Sequence, residues 1–311
     1  MNSLGVGSDP TMPKLTQTYW EKYDLLYKNY SKKTIFKRLL KECRKLGKPY
    51  TKQDNRGRKP KFKPITYAAF LALQKIFRHR YREMELEATL YMPDKADHST
   101  FARNYAKIPQ QYIEQLIANL VDKQFIYWIA DSTCISTKIR VERTVQGIRN
   151  KVKLCDKYHI VIGYDPTTHS TFILGAKASD EHVSDSEGAM QIINGKQSTA
   201  YFLGDSAYNT YDLHEAVKEA GMFAQMKPDN KGIRKTMSAK ARQTKLFSKK
   251  IYKELRGVVE TVFGGATNAG LMLTYAKNEH TRRLDTLMLA VRHNLMASMR
   301  SLLIVFVRQT R

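Results

Sequence analysis

Strand-like apolar segments alternate with helical segments from residue 125 onward, and this order limits the possible folds more than any other feature of the chain. The strand-like segments span 125–131, 157–165, 171–177, 201–205 and 222–226. The helical segments span 185–194, 211–220, 251–263 and 284–307. A turn at 166–170 joins the second and third strands as a hairpin. The sequence therefore predicts an α/β domain with a mixed sheet flanked by helices.

The residues before this domain predict helices only. Their helical patterns span 17–47, 65–77, 81–91, 98–107 and 112–123. Thr34 is the expected N-cap of the clearest part of the first helix, and Gly47 is its expected end. Prolines and a glycine exclude a helix at 48–64, which we expect to be an extended basic arm. The chain thus divides into an all-helical region, residues 1–123, and the α/β domain, residues 124–311.

The chain is strongly basic, with 53 Lys and Arg against 29 Asp and Glu and a formal net charge of +24. Residues 28–63 hold 15 of these basic residues against 2 acids, and residues 227–256 hold 11 against 2. This excess predicts attraction to a polyanion, with nucleic acid first and an anionic membrane surface second. The longest apolar run, 302–307, is far shorter than the ~20 residues of a membrane-spanning helix.

The N-terminal sequence and the cysteines favour a cytoplasmic protein. Residues 1–9 lack the basic and apolar regions of a secretory signal. Cys43, Cys134 and Cys155 are scattered without a CxxC pair, so the sequence predicts neither a disulfide framework nor a zinc site. Unpaired cysteines are typical of a reducing compartment.

Two aspartates follow strand-like segments of the α/β domain. Asp131 ends the first segment, and Asp205 ends the fourth. Functional sites of α/β sheets form at the carboxyl ends of strands, so neighbouring strands would bring these carboxylates together. Two carboxylates at short range need a cation to stay ionised, and Mg²⁺ or Mn²⁺ with oxygen ligands is the natural partner. The alternative is that each aspartate only caps the turn that follows it.

A third acid lies on an apolar helix near the C-terminus. Tyr252, Arg256 and Glu260 are spaced at i, i+4 and i+8, which predicts one shared helix face. Arg256 is placed either to pair with Glu260 or to bind a phosphate. The alternative is an ordinary surface Arg–Glu pair, although the apolar and glycine-rich flanks favour a helix that packs on the sheet.

A second group of acids, at 180–187, competes for a metal-binding role. We interpret it as structural, with Ser184 or Asp185 capping the following helix and acids in the first turn favoured by the helix dipole. His159 and His182 are further candidates for positions near the metals, but histidine pairs more often satisfy core hydrogen bonds than bind Mg²⁺.

Several basic and polar residues are candidate DNA contacts. Those of the arm are Arg56, Arg58, Lys59 and Lys61. Gly57-Arg58-Lys59-Pro60 is similar to an arm that lies in the minor groove, while a plain flexible linker is the alternative. Arg103 and Asn104, on the helix that starts near residue 98, are the candidates for base contacts of a helix-turn-helix, and a helical bundle with a basic solvated face is the alternative.

The three acids and their neighbours resemble a known motif. The DDE motif of insertion-sequence transposases, which have an RNase H-like core, is similar to three segments in this order: Asp131-Ser-Thr, Gly204-Asp205-Ser-Ala-Tyr208 and Tyr252-x3-Arg256-x3-Glu260. Segments 157–159, 179–185 and 293–296 resemble those of an archaeal branch of these enzymes. The resemblance implies a DNA transposase with Asp131, Asp205 and Glu260 as catalytic residues and ligands of two Mg²⁺ or Mn²⁺ ions.

The last of these segments departs from the commoner family pattern. Tyr252 precedes Arg256 by four residues instead of three, and Thr267 stands where a lysine is usual. Lys277 is a candidate substitute for that lysine, and Tyr252 and Arg256 remain candidate DNA contacts.

The resemblance also implies partners and a place of action. The enzyme would cut double-stranded DNA at the terminal inverted repeats of its element and join the 3′-OH ends to target DNA. Paired ends imply a homodimer or a higher oligomer, and the setting would be the nucleoid of a prokaryotic cytoplasm, without a membrane partner. Two alternatives remain: an RNase H-like nuclease without strand transfer, and a non-catalytic DNA-binding protein derived from a transposase.

Overall fold

The computed structural model describes residues 31–51, 60–145, 148–229 and 238–309. Its helices are α1 Lys32–Leu46, α2 Pro64–Ile76, α3 Tyr81–Tyr91, α4 His98–Tyr105, α5 Gln110–Asn119, α6 Asp185–Ile193, α7 Tyr211–Glu219, α8 Ala239–Thr244, α9 Lys249–Leu255, α10 Val258–Asn268 and α11 Glu279–Gln309. Its strands are β1 Tyr127–Val145, β2 Ile148–Asp165, β3 Ser170–Asp180, β4 Tyr201–Gly204, β5 Phe223–Met226 and β6 Leu273–Thr274. The described residues before β1 thus contain helices and no strand, as predicted.

The first described helix shows how local sequence sets its ends. Ser31, and not the predicted Thr34, is the N-cap of α1, because the Ser31 hydroxyl accepts a hydrogen bond from the Thr34 backbone N–H at 3.3 Å. Gly47 ends the helix as predicted. Its φ of 86° lies in the left-handed region that favours glycine, and its N–H donates to the Cys43 carbonyl.

One hydrophobic core joins the N-terminal helices to one face of the sheet. Buried residues of α1 and α2, such as Leu39 and Phe70, belong to the same cluster as Ile160 of β2 and Leu284 of α11. A second cluster lies on the other face, where α6 and α7 pack through residues such as Ile192 and Leu213. The sheet therefore has helices on both faces, which confirms the expected α/β architecture.

The sheet is mixed, with the order β3-β2-β1-β4-β5 and with β6 paired to β1. β1, β2 and β3 are antiparallel neighbours, whereas β4 and β5 run parallel to β1. This is the mixed sheet flanked by helices that the resemblance to an RNase H-like core implied, preceded by a helical region.

The first two strands are much longer than predicted. β1 continues 14 residues past Asp131, and β2 begins nine residues before Lys157, so the two form a long antiparallel hairpin. The extension alternates β-branched with polar residues, for example Ile135, Thr137 and Ile139 on one side of the alternation. This period of two was the available signal, but basic residues between the apolar ones concealed it.

The hairpin also corrects the prediction for the cysteines. Cys134 of β1 and Cys155 of β2 form a disulfide, with their Cα atoms 5.6 Å apart, because neighbouring strands bring side chains that are 21 residues apart in sequence into contact. Cys43 is free and buried in the helical region. The pairing removes the support that unpaired cysteines gave to a reducing compartment.

The last helix, α11, connects the helical region to the sheet through hydrogen bonds of one buried side chain. Asn294 of α11 is fully buried, and its side-chain oxygen accepts a hydrogen bond from the Ile173 backbone N–H at 2.7 Å. Its amide donates to the carbonyls of Ile173 and Ile117, which belong to β3 and α5. One side chain thus satisfies backbone groups in two elements. Within the described part of the chain, no helix combines the length and the apolar character needed to cross a bilayer.

Candidate active site

Asp131 and Asp205 meet because of the pairing between β1 and β4. The parallel register runs from Tyr127 opposite Tyr201 to Ile129 opposite Leu203. Asp131 lies two residues after Ile129 on β1, and Asp205 lies two residues after Leu203, just past the end of β4. Asp131 itself lies within β1 and not at its end, which corrects the prediction. The site therefore lies where β4 ends, beside a part of β1 that continues past it.

A guanidinium joins the two carboxylates. One Arg256 Nη2 lies 3.1 Å from Oδ1 of Asp131 and 3.8 Å from Oδ2 of Asp205. The Arg256 side chain is 16% exposed, while its Nε and Nη1 are buried without a hydrogen-bond partner. Arg256 is therefore a largely buried counter-ion with two buried donors that have no partner, which is a costly arrangement.

Burial sets the protonation behaviour of this group. Burial raises the pKa of Asp131 above its usual range, although the nearby Arg256 guanidinium opposes that shift. Burial also raises the pKa of Tyr252, again against the effect of Arg256 and with help from Asp205 and Asp131. Tyr252 thus lies beside the two carboxylates. In the resting site, burial disfavours the ionised form of Asp131.

Both aspartates also cap the backbone that follows them. Oδ1 of Asp131 accepts from the Ser132 N–H at 2.9 Å, and Oδ1 of Asp205 accepts from the Ala207 N–H at 2.8 Å. The capping alternative from the sequence is therefore correct as far as it goes. It does not exclude a second role, because each carboxylate keeps an oxygen contact with Arg256 in addition.

The third acid of the motif does not share the Arg256 contact of the first two. The predicted helix 251–263 is interrupted at Arg256 and Gly257, so that α9 ends at Leu255 and α10 begins at Val258. Glu260 is exposed in the first turn of α10. The structure does not form the expected Arg256–Glu260 pair. Two carboxylates outcompete one for the guanidinium, and the exposed Glu260 has the favourable end of the α10 dipole.

A different acidic group, away from the DDE motif, brings three possible metal-ligand atoms close together. Within the part of the chain that the structure describes, only Glu85, Asp97 and His98 place three possible ligand atoms within 4.8 Å of one another. Asp97 is the N-cap of α4, accepting from the Ser99 N–H, and Glu85 is paired with Lys95 and His98. This group therefore has a structural explanation. The assignment of Asp131, Asp205 and Glu260 as a three-carboxylate site remains a prediction.

The acids at 180–187 are tied into the fold, in agreement with their structural interpretation. The Ser184 hydroxyl caps α6 by accepting from the Glu187 N–H. Asp185 contacts Lys157 at 2.6 Å and accepts from the Ser132 hydroxyl at 2.5 Å. His159 is buried against α6, where its Nε2 lies 3.0 Å from the Ser179 hydroxyl. His159 also lies on the sheet face opposite to Asp131, by the alternation along the paired strands.

The residues present fit a divalent cation at Asp131 and Asp205. Carboxylate oxygens are the ligands that Mg²⁺ and Mn²⁺ prefer. The two carboxylates already share one cationic partner, Arg256, whose remaining donors are buried and unpaired. A positive charge is therefore required here, and the guanidinium supplies it with poor hydrogen-bond satisfaction.

The predicted DNA contacts have different surroundings. Arg56, Arg58 and Lys59 lie outside the described residues. Lys61 is exposed and paired with Asp94 at 2.5 Å.

The helix proposed to read bases offers one free side chain. Arg103 is exposed and bonded only within its own helix, to Ser99. Asn104 accepts from the Tyr50 hydroxyl at 2.6 Å and donates to the Thr100 carbonyl, so both ends of its amide are used inside the protein. Six residues separate α3 from α4, longer than the three or four of a typical helix-turn-helix turn.

Comparison with known proteins places this site in a family. The fold and the site define a class of domain: a paired-carboxylate site beside an arginine that follows a short helix, on a mixed sheet with helices on both faces. The family described as "Transposase DDE domain" matches residues 128–295, more than half of the chain and the whole of this site. The chain belongs to this family.

Other comparisons add little. A solved structure, the cryo-EM structure of the piggyBac transposase synaptic complex with hairpin DNA, is similar with a TM-score of 0.42 and 9% identity. The similarity covers 88% of this chain and 74% of that chain. At this level it carries no part of the argument. A search of curated protein sequences found no match.

Proposed function

We propose that this protein is a metal-dependent DNA transposase that cuts DNA at the ends of its element and joins the 3′-OH ends to target DNA. The observation that carries the proposal is the meeting of Asp131 and Asp205 on the buried Arg256, inside a domain of the transposase family. Phosphoryl transfer on DNA needs positive charge held beside the carboxylates, because negative charge develops on the phosphate oxygens.

Asp131, Asp205 and Glu260 are the residues that would hold two Mg²⁺ or Mn²⁺ ions. When bound, such ions activate a water or a 3′-hydroxyl and stabilise the leaving oxygen of a phosphodiester. Glu260 would complete the ligand set from the start of α10, which directly follows the Arg256 segment. Its exposed carboxylate has no ion pair among the described residues, so no bond has to be broken for it to move.

Arg256 has two roles in this proposal. In the resting protein it keeps Asp131 and Asp205 side by side, since two carboxylates at short range otherwise repel. A guanidinium that leaves the aspartates stays within the site, and its planar donors suit bidentate binding of a DNA phosphate. Tyr252, next to Arg256 on the preceding turn, is positioned to donate its hydroxyl to the same phosphate group.

The helical region, residues 1–123, would bind the terminal repeats, and residues 124–311 would do the chemistry. The net charge of +24 supports a DNA partner, because each phosphate contact releases counter-ions. Exposed Arg103 and the basic arm are the proposed contacts, and Lys61 and Asn104 would first have to leave their protein partners. Two ends brought together would need a dimer or a larger assembly.

Asp131→Asn is the decisive variant. It keeps the shape of the side chain and removes its charge, so metal-dependent cleavage of an end duplex should fall at least about a thousandfold, equivalent to about 4 kcal/mol. Binding of the same duplex should stay within about twofold. The control is Asp212→Asn, which removes an exposed acid in the first turn of α7 and should leave cleavage unchanged. Cleavage at the normal rate by Asp131→Asn would reject the assignment.

A strand-transfer assay with pre-cut ends separates the proposal from its alternatives. Joined products with the unaltered protein and Mn²⁺ support a transposase. Cleavage without joining would identify a nuclease, and end binding without metal-dependent nicking would identify a DNA-binding protein that does no chemistry.

A further inference from the structure

A cleft of about 750 Å³ lies between the helical region and the α/β domain. The end of α2 and the loop after it form one wall, and the β6 segment and the first half of α11 form the other. Its volume is in the range of small-ligand pockets, so it admits a flexible strand more readily than a duplex. The catalytic assignment above does not use this cleft.

The charge of the cleft is almost entirely positive. Five cationic side chains line it: Lys75, Arg78, Arg80, Lys277 and Arg292. Asp285 is the one acid among its described lining residues, and Lys75 already pairs with it at 3.1 Å. Arg80 and Lys277 are exposed and have no acidic partner in the described part of the chain. An anion entering the cleft therefore meets unpaired positive charge.

Arg78 holds the two walls together. Its backbone has a φ of 61°, which is uncommon for a residue with a side chain. Its guanidinium donates to the carbonyls of Gly270, Leu271 and Leu273, at 2.5, 3.0 and 2.7 Å. Burial, with a smaller effect of Arg78, lowers the pKa of Arg292, which donates to the Ile76 carbonyl on the opposite wall. The cleft is thus a braced feature of the fold.

An aromatic side chain and an unpaired hydroxyl complete the lining. Tyr275 follows β6 and is 64% exposed, with Lys138 Nζ 4.8 Å from the centre of its ring. Thr286 of α11 is 1% exposed, and its hydroxyl has no hydrogen-bond partner. An exposed ring in a basic cleft is the arrangement on which an unpaired base stacks while neighbouring phosphates bind basic residues.

The cleft lies on the same strand as the candidate active site. β6 pairs with β1 at Ser136 and Thr137, five and six residues past Asp131. At about 3.3 Å per residue, the start of the β6 pairing lies about 16 Å from Asp131 along β1. Ile135, which lines the cleft, shares with Asp131 the face of the sheet that carries the helical region. A few nucleotides of a single strand span this separation.

We propose that the cleft binds an unpaired DNA strand that continues from the active site, with one base on Tyr275 and its phosphates at Arg80 and Lys277. The inference deepens the proposed function and rests on it for the identity of the nucleic acid. The binding itself needs no chemistry, so it is measured separately from cleavage.

Fluorescence anisotropy of a labelled single-stranded oligonucleotide tests the binding, in the Asp131→Asn protein so that no cleavage intervenes. Tyr275→Ala should weaken binding about tenfold, since stacking of one base contributes on that scale. Lys277→Ala should lower the slope of log affinity against log salt by about 0.7, the value for one phosphate of a single strand.

Matched controls keep the result specific. Phe223→Ala removes an aromatic residue that is 52% exposed on β5, and Lys218→Ala removes an exposed lysine of α7 that is bound to Glu215. Both controls should bind the oligonucleotide like the parent protein. Equal loss of binding in Phe223→Ala and Tyr275→Ala would overturn the proposal, as would an unchanged affinity in Tyr275→Ala. Circular dichroism of each variant detects any loss of folding, and for a misfolded Tyr275→Ala the Tyr275→Leu variant replaces it.

The outcomes separate this inference from the proposed function. Single-strand binding that depends on Tyr275, in a protein that never cleaves, supports the cleft and rejects the transposase. Cleavage that depends on Asp131, with single-strand binding insensitive to Tyr275 and Lys277, rejects the cleft alone. Displacement of the oligonucleotide by inorganic pyrophosphate at equal phosphate concentration would identify a small-anion site and overturn the proposal of a strand.

Discussion

Two Asp–Arg pairs lie on the same face of the sheet, and they differ in how well the arginine is satisfied. Arg282 contacts Asp156 through two bonds, Nε to Oδ2 at 2.8 Å and Nη2 to Oδ1 at 3.2 Å, and Nη1 donates to the Lys277 carbonyl. Arg256 has one close contact with Asp131 and a longer one with Asp205, and two of its nitrogens are buried without partners. Every side-chain nitrogen of Arg282 therefore has a hydrogen-bond partner, whereas two of the nitrogens of Arg256 have none.

The difference separates a structural pair from an exchangeable one. A bidentate pair with both side chains about 95% or more buried recovers much of the cost of desolvating its charges. A guanidinium with unpaired buried donors recovers less, so another cation competes for the same carboxylates more easily. We therefore expect Asp156–Arg282 to determine folding and Asp131–Asp205–Arg256 to determine activity.

The largest effect on stability is expected from Asp156→Asn. It leaves the buried Arg282 without a counter-charge, which should lower the free energy of unfolding by about 3–5 kcal/mol. Urea denaturation followed by circular dichroism measures the change. Asp131→Asn should cost clearly less, because Arg256 keeps Asp205 as a partner. Equal losses in the two variants would contradict the distinction between the pairs.

The double variant Asp156→Leu with Arg282→Met is the control for this prediction. Removing both charges together should recover most of the stability that Asp156→Asn loses, since an apolar pair of similar size often matches a buried ion pair. A double variant as unstable as the single one would show that packing, and not the unpaired charge, causes the loss.

A smaller effect, dependent on pH, is expected from His159 on the same strand as Asp156. Burial first, and then the charge of Lys157, lower the pKa of His159 from 6.5 to about 4. His159 therefore binds a proton below pH 6.5 in the unfolded chain, but only below about pH 4 in the folded protein. The stabilisation is complete above pH 6.5 and is lost as the pH falls, by about 2 kcal/mol between pH 7 and pH 5.

The measurement compares the protein with His159→Gln, whose amide can still bond to Ser179. The difference in unfolding free energy between pH 7 and pH 5 should be about 2 kcal/mol smaller in the variant than in the parent. Parallel pH dependence in both proteins would mean that His159 titrates normally and that the framework beside the site tolerates its charge.

Arg256→Gln should lower the free energy of unfolding by about 1–2 kcal/mol, less than Asp156→Asn because Asp131 and Asp205 are only partly buried, and its main effect should be on metal affinity. Without the guanidinium, Asp131 and Asp205 repel each other and have no competing cation, so Mn²⁺ should bind about tenfold more tightly in a titration followed by electron paramagnetic resonance. Arg283→Gln is the control, because Arg283 is also a partly buried arginine but pairs with Glu279 of α11 and with neither aspartate of the site. Weaker Mn²⁺ binding in Arg256→Gln would show that Arg256 supports the ion instead of competing with it.

The sequence predicted the mixed α/β architecture and the proximity of two acids, although it missed β6 and the full length of β1 and β2. Two apolar segments, each followed by an aspartate, predict that Asp131 and Asp205 lie close together if the segments pair in parallel. The partner of Arg256 could not be predicted in the same way. Helical spacing pointed to Glu260, four residues away, but the two aspartates are contacts across the fold, and local spacing contains no information about them.

Other differences have the same origin. The disulfide between Cys134 and Cys155 depends on the β1–β2 hairpin, and the basic residues of that hairpin concealed its alternation. The Asp156–Arg282 pair joins residues 126 positions apart, so no sequence window contains both. Contacts between side chains of distant elements leave no pattern in a short sequence window, which is why these two pairs were missed.

The smallest effect on stability, and the sharpest test of the site, is expected from Glu260→Gln. Glu260 is exposed and has no ion pair among the described residues, so the unfolding free energy should change by no more than about 0.5 kcal/mol. Glu254→Gln is a matched control, since Glu254 is also an exposed glutamate, near the end of α9. If Glu260 joins Asp131 and Asp205 when metal is present, Glu260→Gln alone should lose DNA cleavage and weaken Mn²⁺ binding. Equal cleavage by the two variants would remove Glu260 from the site and leave Asp131 and Asp205 as its only acids, whereas a large loss of stability in Glu260→Gln would mean that its exposed position is not the one occupied in solution.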